Sequence, residues 1–205
     1  MRLRILIFFS LFCTCISKAQ LVKEDFNESL YIDQFDDNKN SWPVMTTKDN
    51  FFIIQNGEYF ITRNVNNSEY ALFSSASPVA KNYKLETSLA FTEEAAAESY
   101  CGVMFLIQEG LTGGYVVEIN NSKKYRVRQL KGDGYSLLTG NAANGGWIKT
   151  STLKNKKEFN VIQIKVLKNS ADIYFNNNYI VSVSDPSYTA GKAGLIIGPS
   201  SQARV

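Results

Sequence analysis

The chain has 205 residues, of which 44% are apolar, 13% aromatic and 20% charged, with only four prolines. This composition is typical of a folded domain with one sizeable core, and it excludes collagen-like and disordered chains. The sequence contains no histidine, which excludes Ser-His-Asp and Cys-His catalysis and most zinc sites.

The first 19 residues have the pattern of a cleaved secretory signal peptide. Arg2 and Arg4 give a basic start, and residues 5–12 form an apolar run. The small residues Ser17 and Ala19 then stand three and one positions before a cleavage point. We therefore predict a secreted, periplasmic or cell-surface protein whose signal peptide spans residues 1–19.

Cleavage after residue 19 makes the rest of the chain neutral. The removed segment contains Arg2, Arg4 and Lys18 and no acid, so 19 basic residues remain against 19 acidic ones. Proteins that bind nucleic acid offset the phosphates with a basic excess, so we expect no nucleic-acid partner. Lipidation at Cys13 or Cys15 is an alternative to this cleavage, although neither cysteine follows a small residue.

After a flexible segment over residues 20–29, the chain is a succession of short strands. Tyr83 to Phe91 alternates apolar and polar residues, as a strand with one solvent face does. Asn56-Gly57 and residues 121–123 and 176–178 each join two such runs, which predicts three hairpins. This pattern predicts an all-β, two-sheet antiparallel sandwich as a single domain over residues 30–205.

Two further expectations concern the core and the last strand. Cys101 is the only cysteine after cleavage, so no intrachain disulfide can form, and we predict a buried structural thiol. Residues 202–205 resemble the beginning of a strand at the point where the sequence stops. We therefore expect a truncated final strand and an open sheet edge.

A set of segments in this chain carries a family resemblance. The segments are FDDNKNSW (35–42), GVMFLI (102–107), GGYVVEIN (113–120), KYRVRQL (124–130), and a late Asn-rich hairpin followed by Asp185 and Gly191 to Leu195. They resemble concanavalin A-like domains grouped with laminin G-like modules and the bacterial 3-keto-disaccharide hydrolase group. The resemblance covers about residues 30–205. It implies a jelly-roll sandwich and is less specific for function.

An oxygen-rich cluster precedes Trp42. Asp33, Asp36 and Asp37 are the residues that could hold a structural calcium ion, because carboxylate oxygens are the ligands calcium prefers. The spacing lacks the loop pattern of an EF-hand, and a polar turn capped by aspartates is the favoured interpretation. We predict no other cofactor.

The candidate ligand-binding residues are Arg126, Arg128, Tyr135 and Trp147. Guanidinium donors and aromatic rings suit sugars and protein partners alike. Strand alternation places Tyr125 in the core and both arginines on the opposite, solvent-facing side. For Trp147, as for Trp42, core packing is favoured over stacking on a ligand.

No catalytic residues stand out. Glycosidases use two facing carboxylates, and Glu118 is the only acid in its predicted strand. The favoured function is a secreted, non-catalytic glycan-binding or adhesion module, within a longer surface protein. The resemblance implies a glycoside-processing enzyme of the 3-keto-disaccharide hydrolase type as one alternative. A sensor or scaffold domain that binds a cell-surface protein is the other. The sequence leaves the ligand and the oligomeric state undetermined.

Overall fold

The protein is described by a computed structural model, which places residues 26, 28–184 and 187–205. The predicted signal peptide, residues 20–25 and 27, and Asp185 lie outside these ranges. Two antiparallel sheets pack face to face, which confirms the predicted all-β sandwich. Within the described part of the chain, no helix has the length and apolar character needed to cross a bilayer.

Over the residues that the structure describes, fifteen strands make up the two sheets. They are β1 (Met45–Thr46), β2 (Asn50–Gln55), β3 (Glu58–Arg63), β4 (Tyr70–Leu72), β5 (Tyr83–Phe91), β6 (Tyr100–Ile107), β7 (Gly113–Asn120), β8 (Lys124–Lys131), β9 (Gly134–Leu137), β10 (Ile148–Lys149), β11 (Asn160–Leu167), β12 (Ser170–Phe175), β13 (Asn178–Ser184), β14 (Lys192–Ile197) and β15 (Ser201–Arg204). Two short 3-10 helices, Glu109–Leu111 and Ala142–Asn144, lie in loops.

The strand order shows how the sandwich is wound. The eight-stranded sheet has the order β1-β2-β3-β15-β5-β11-β12-β13. The seven-stranded sheet has the order β10-β8-β7-β6-β14-β4, with β9 paired to β8. Strands distant in sequence are therefore neighbours in both sheets, as in a jelly roll.

The core lies between the two sheets and is built from the inward-facing residues of the longer strands. Phe52 and Ile164 of the eight-stranded sheet and Val117 and Val127 of the seven-stranded sheet are all fully buried. Cys101 is buried among them, as predicted. The longer strands thus contribute an apolar face to this core, whereas β9 is exposed throughout.

The predicted hairpins are present with the expected turn chemistry. Asn56 and Gly57 have φ of 54° and 73° and join β2 to β3. Asn176 and Asn177 have φ of 50° and 67° and join β12 to β13. Two consecutive residues with positive φ match the right-handed twist of the flanking strands, which is why asparagine and glycine occur here.

The final strand, which was expected to be truncated, is present and short. Ser201–Arg204 forms β15, which pairs with both β3 and β5 inside the eight-stranded sheet. Ala203 is fully buried there, and the backbone of Val205 exchanges two hydrogen bonds with Tyr59. β15 pairs with β5 only at Phe91 and Ala90, and no described strand pairs with the same edge of β5 over residues 83–89.

Candidate functional site

A charged cluster occupies the face of the seven-stranded sheet that points away from the core. Its centre is Glu118 in β7, which lies directly opposite Gly102 in β6 and Arg126 in β8. A Cβ at Gly102 would lie 2.2 Å from the carbonyl oxygen of Val117 and 2.9 Å from the Cα of Glu118. Glycine at this position therefore provides the room in which Glu118 lies.

Arg126 binds Glu118 through two of its nitrogens. Its Nε donates to Oε2 at 2.6 Å, and its Nη2 donates to Oε1 at 3.1 Å. Its Nη1 reaches the carbonyl oxygen of Gly145 at 3.3 Å. This bidentate arrangement is the strong form of a guanidinium–carboxylate pair, and it fixes the plane of the arginine head group.

Arg128 brings a second carboxylate into the cluster. Its Nη2 donates to Oε1 of Glu118 at 2.5 Å and to Oε1 of Glu69 at 2.6 Å. Oε1 of Glu69 also accepts from the hydroxyl of Tyr100 at 2.7 Å. Two carboxylates and two guanidiniums therefore share one network, and their formal charges cancel.

Glu69 reaches this network from the far side of the sheet, immediately before β4. Three strands separate β4 from β8 in the sheet order. At the usual strand spacing of about 4.8 Å, a flat sheet would hold these strands about 19 Å apart. The contact between Glu69 and Arg128 therefore requires that this face be concave, with the cluster at its bottom.

Aromatic rings surround the two guanidiniums. The Cζ of Arg126 lies 4.4 Å from the ring centroid of Trp147 and 4.9 Å from that of Tyr100. The Cζ of Arg128 lies 3.8 Å from the ring centroid of Tyr135. These are cation–π distances. Tyr135 is 39% exposed and Trp147 is half-buried, so both rings are also accessible from solvent.

A capped loop positions Trp147. Asn141 caps the 3-10 helix Ala142–Asn144, and its side chain accepts from the backbone N–H of Asn144 at 3.2 Å. Gly145 follows with a φ of 62°, which a glycine adopts without steric cost. This turn places the carbonyl oxygen of Gly145 against Nη1 of Arg126 and the ring of Trp147 against Cζ of the same arginine.

Burial determines the direction of the pKa shift for Glu118 and Tyr135 but not for Arg128. It raises the pKa of Glu118, against the hydrogen bond from Arg126 and the positive charge of Arg128. It acts to lower the pKa of Arg128, but Glu118 and Glu69 outweigh it and the pKa is raised. Burial also raises the pKa of Tyr135 to about 12. Nε of Arg128 is a buried donor without a hydrogen-bond partner among the described residues.

The structure corrects the predicted exposure of the two arginines and adds residues to the predicted ligand site. Arg126 and Arg128 were expected to face solvent, but their side chains are only 12% and 8% exposed because Glu118 and Glu69 bury and pair them. All four predicted ligand residues do lie together, and Tyr125 is in the core as expected. Glu69, Glu118 and Tyr100 are members that the sequence analysis did not select.

The tryptophans differ from each other. Trp42 is a core residue, 8% exposed, as the favoured interpretation predicts. Trp147, for which the same packing was favoured, is half-buried and stacks on Arg126 instead.

Asp33, one of the three predicted calcium residues, is engaged in hydrogen bonds within its own turn. Asp33 accepts from the N–H of Phe35, the amide of Asn40 and the indole N–H of Trp42, each at 2.8 Å. Over residues 26, 28–184 and 187–205, no three acidic or sulfur-bearing side chains are grouped to hold a metal ion. Asp33 therefore fastens a polar turn to the core, and calcium binding by Asp33, Asp36 and Asp37 stays a prediction.

Solved structures share this fold at low identity. The carbohydrate-binding module CBM66 from Bacillus subtilis superposes with a TM-score of 0.62 at 12% identity, covering 79% of this chain and 89% of that one. The β-glucanase of Bacillus licheniformis gives 0.55 at 8% identity, covering 84% and 92%. A lichenase derived from a mouse hindgut metagenome gives 0.54 at 11% identity, covering 84% and 94%. These likenesses establish the jelly-roll fold.

Family membership follows from the sequence itself. No curated protein gives a sequence match. The model of the 3-keto-alpha-glucoside-1,2-lyase-like domain family matches residues 23–201, which is most of the chain. The chain therefore belongs to the 3-keto-alpha-glucoside-1,2-lyase-like domain family.

Proposed function

We propose that this protein binds a carbohydrate on the concave face of the seven-stranded sheet. The binding surface is the arginine cluster, defined as Glu69, Glu118, Arg126 and Arg128 with the rings of Tyr100, Tyr135 and Trp147. One observation carries the proposal: buried Glu118 fixes Arg126 beside rings that are still partly exposed. Membership of a family named for a glucoside and the fold shared with CBM66 support it.

The chemistry of the cluster suits a neutral sugar. Aromatic faces pack against the apolar C–H face of a pyranose, and guanidinium and carboxylate groups hydrogen-bond to hydroxyls. Arg126 and Arg128 are held in place before a ligand arrives, so little side-chain entropy is lost on binding. Because the four formal charges cancel, the cluster offers no net charge to attract an ionic ligand.

Burial favours binding over catalysis at this site. Glu118 is fully buried, so its carboxylate cannot reach a ligand. Glu69 is 19% exposed at its side chain, and its Oε1 already accepts from Tyr100 and both arginines. A carboxylate oxygen that accepts from three donors is already engaged in orienting its neighbours.

A glycan array followed by calorimetry on the best sugar tests the proposal. Trp147→Ala and Tyr135→Ala should each weaken binding by about tenfold, equivalent to ~1.4 kcal/mol. Tyr179→Ala is the matched control, because Tyr179 is 58% exposed on the other sheet. Unchanged affinity in both cluster variants, or no sugar bound by the unsubstituted protein, would remove this function.

A second candidate is a glycoside-processing enzyme. The observation that favours it is the meeting of two carboxylates, Glu69 and Glu118, at one nitrogen of Arg128, in a chain of a lyase-like family. A lyase needs a base, and Glu69 is the partly exposed member of the pair. Incubation with a 3-keto-α-glucoside, with Glu69→Gln as the control, decides this. If the protein converts this substrate and the Glu69→Gln variant does not, the protein is an enzyme that depends on Glu69.

We also propose that the protein is exported with removal of residues 1–19. The support is the basic, apolar and small-residue pattern of that segment. Mass spectrometry of the protein recovered outside the cytoplasm should give a chain beginning at Gln20. Recovery of the uncleaved chain only from the cytoplasm would refute the proposal.

A further inference from the structure

We propose that the ligand is an acidic glycan, in which a sugar bearing a carboxylate or sulfate group adjoins the neutral sugar held by the arginine cluster. This inference rests on the proposed function and names its ligand class. The acid would be recognised by a pair of lysines beside the cluster, Lys124 of β8 and Lys149 of β10. An ammonium group binds an anionic oxygen through a charge-assisted hydrogen bond.

Both lysines lie on the concave face that carries the arginine cluster. Side chains alternate between the two faces of a strand, so Lys124 shares its face with Arg126, two residues further along β8. Tyr125 and Ile148 are paired across β8 and β10, and both pack into the core. Lys149, which follows Ile148, therefore points to the side opposite the core, as Lys124 does.

The spacing along the chain suits two adjoining sugars. Trp147 stacks on Arg126 and so lies on the same face, two residues before Lys149. Two residues of a strand span about 6.6 Å, which is close to the length of one pyranose unit. A pyranose packed on the ring of Trp147 would therefore place its neighbour over Lys124 and Lys149.

The two ammonium groups have no acidic partner in the described part of the chain. Lys124 and Lys149 are directly opposite each other, and the Cβ atoms of such residues are about 4.5–5.5 Å apart, where like charges destabilise a sheet. No described carboxylate forms an ion pair with either lysine. The three glutamates of the adjoining loop, residues 92–99, pair with neither, and Glu93 is bound to Lys157 instead.

A second opposed lysine pair shows how this fold compensates such charges. Lys84 of β5 and Lys165 of β11 are also directly opposite each other, on the eight-stranded sheet. Glu86 pairs with Lys84 at 2.9 Å, and Asp172 of β12 lies directly opposite Lys165. The pair beside the arginine cluster lacks such partners, so an acidic ligand would supply the missing negative charge.

A glycan array tests the inference, with uronate-containing and sulfated oligosaccharides beside neutral counterparts of the same backbone. The protein should retain acidic members more strongly, and added salt should weaken only their binding, because salt screens exposed charges. The uronate and sulfate members separate the two sources of the charge. Retention of neutral members alone would overturn the inference and leave the proposed function standing. If no member is retained, the proposed function fails as well.

Removal of the two charges gives a second arm. In calorimetry, Lys124→Gln with Lys149→Gln should weaken the best acidic oligosaccharide by about tenfold and leave its neutral counterpart unchanged. Lys84→Gln with Lys165→Gln is the matched control, because it removes the same charge from the other sheet. Equal affinity of the two double variants overturns the inference, and so does acidic binding that Trp147→Ala leaves intact. Thermal unfolding shows whether each variant is folded, and the array decides if one is not.

Discussion

Substitution of Arg126 by leucine should cost the protein a large part of its stability. Arg126 supplies two of the three short hydrogen bonds that hold the buried carboxylate of Glu118. Removing one partner of a buried pair leaves an uncompensated charge, which costs ~3–5 kcal/mol. Lys84→Leu is the control, since the Lys84–Glu86 pair is 39% and 49% exposed and such pairs contribute at most about 1 kcal/mol.

Urea unfolding at 25 °C measures both variants, through the shift in midpoint at constant slope. The double variant Arg126→Leu with Glu118→Gln should recover more than half of the loss, because the buried charge is removed with its partner. A cost below about 1 kcal/mol for Arg126→Leu alone would refute the reasoning, and the side chain would then have to be regarded as a surface arginine.

The loss of stability caused by Arg126→Leu should depend on pH. Burial already raises the pKa of Glu118, and loss of Arg126 removes a contact that lowers it, so the rise becomes larger. A carboxyl whose pKa is higher in the folded than in the unfolded chain favours folding at low pH. That contribution is lost as the pH rises through the folded-state pKa. The cost of Arg126→Leu should therefore be smaller at pH 5 than at pH 8, and a cost independent of pH would contradict the burial of an ionised Glu118.

Three further substitutions test the fold and its turns by thermal or urea unfolding. Gly102→Ala should destabilise by about 1–3 kcal/mol, since the new Cβ meets backbone atoms of Val117 and Glu118 that cannot move aside; an unchanged midpoint would show that β6 and β7 can separate. Gly57→Val should cost about 1–2 kcal/mol, because a β-branched residue resists the φ of 73° in this turn; a stable variant would mean that the turn changes type. Asp33→Ala should cost about 1–3 kcal/mol, because it leaves the indole N–H of Trp42 without its acceptor. Calcium should not change the melting temperature of the unsubstituted protein. A rise in melting temperature that a chelator reverses would instead support calcium binding.

Local pattern was sufficient to predict the strands and hairpins, because alternation and turn chemistry are properties of adjacent residues. The register of one pair could have been read in the same way. Glu118 and Arg126 stand at equal distances on either side of Ser122, the middle of the predicted turn, and they are directly opposed in the structure. A closer reading of that hairpin would have shown that Arg126 has a carboxylate partner.

Glu69 carried no such signal. It lies 49 positions before Glu118 in the sequence. In the sheet, β6 and β14 lie between β7 and β4, and the two carboxylates come together at Arg128 because the sheet is curved. Strand order beyond neighbouring hairpins is set by the packing of the whole chain, which local alternation does not encode. For the same reason the sequence did not reveal that Arg128 lies between two carboxylates, and it assigned both arginines to the solvent.

The position of β15 has a consequence for how the protein folds. β15 separates β3 from β5, although it follows both of them in the sequence by more than 100 residues, so neighbouring strands of the eight-stranded sheet are not synthesised one after another. The half that contains β1, β2 and β3 and the half that contains β5, β11, β12 and β13 have no shared hydrogen-bonded edge until residues 201–204 arrive between them. Such non-local pairing makes folding slow, on the scale of milliseconds to seconds, because the intervening chain must be closed into a loop before β15 can pair.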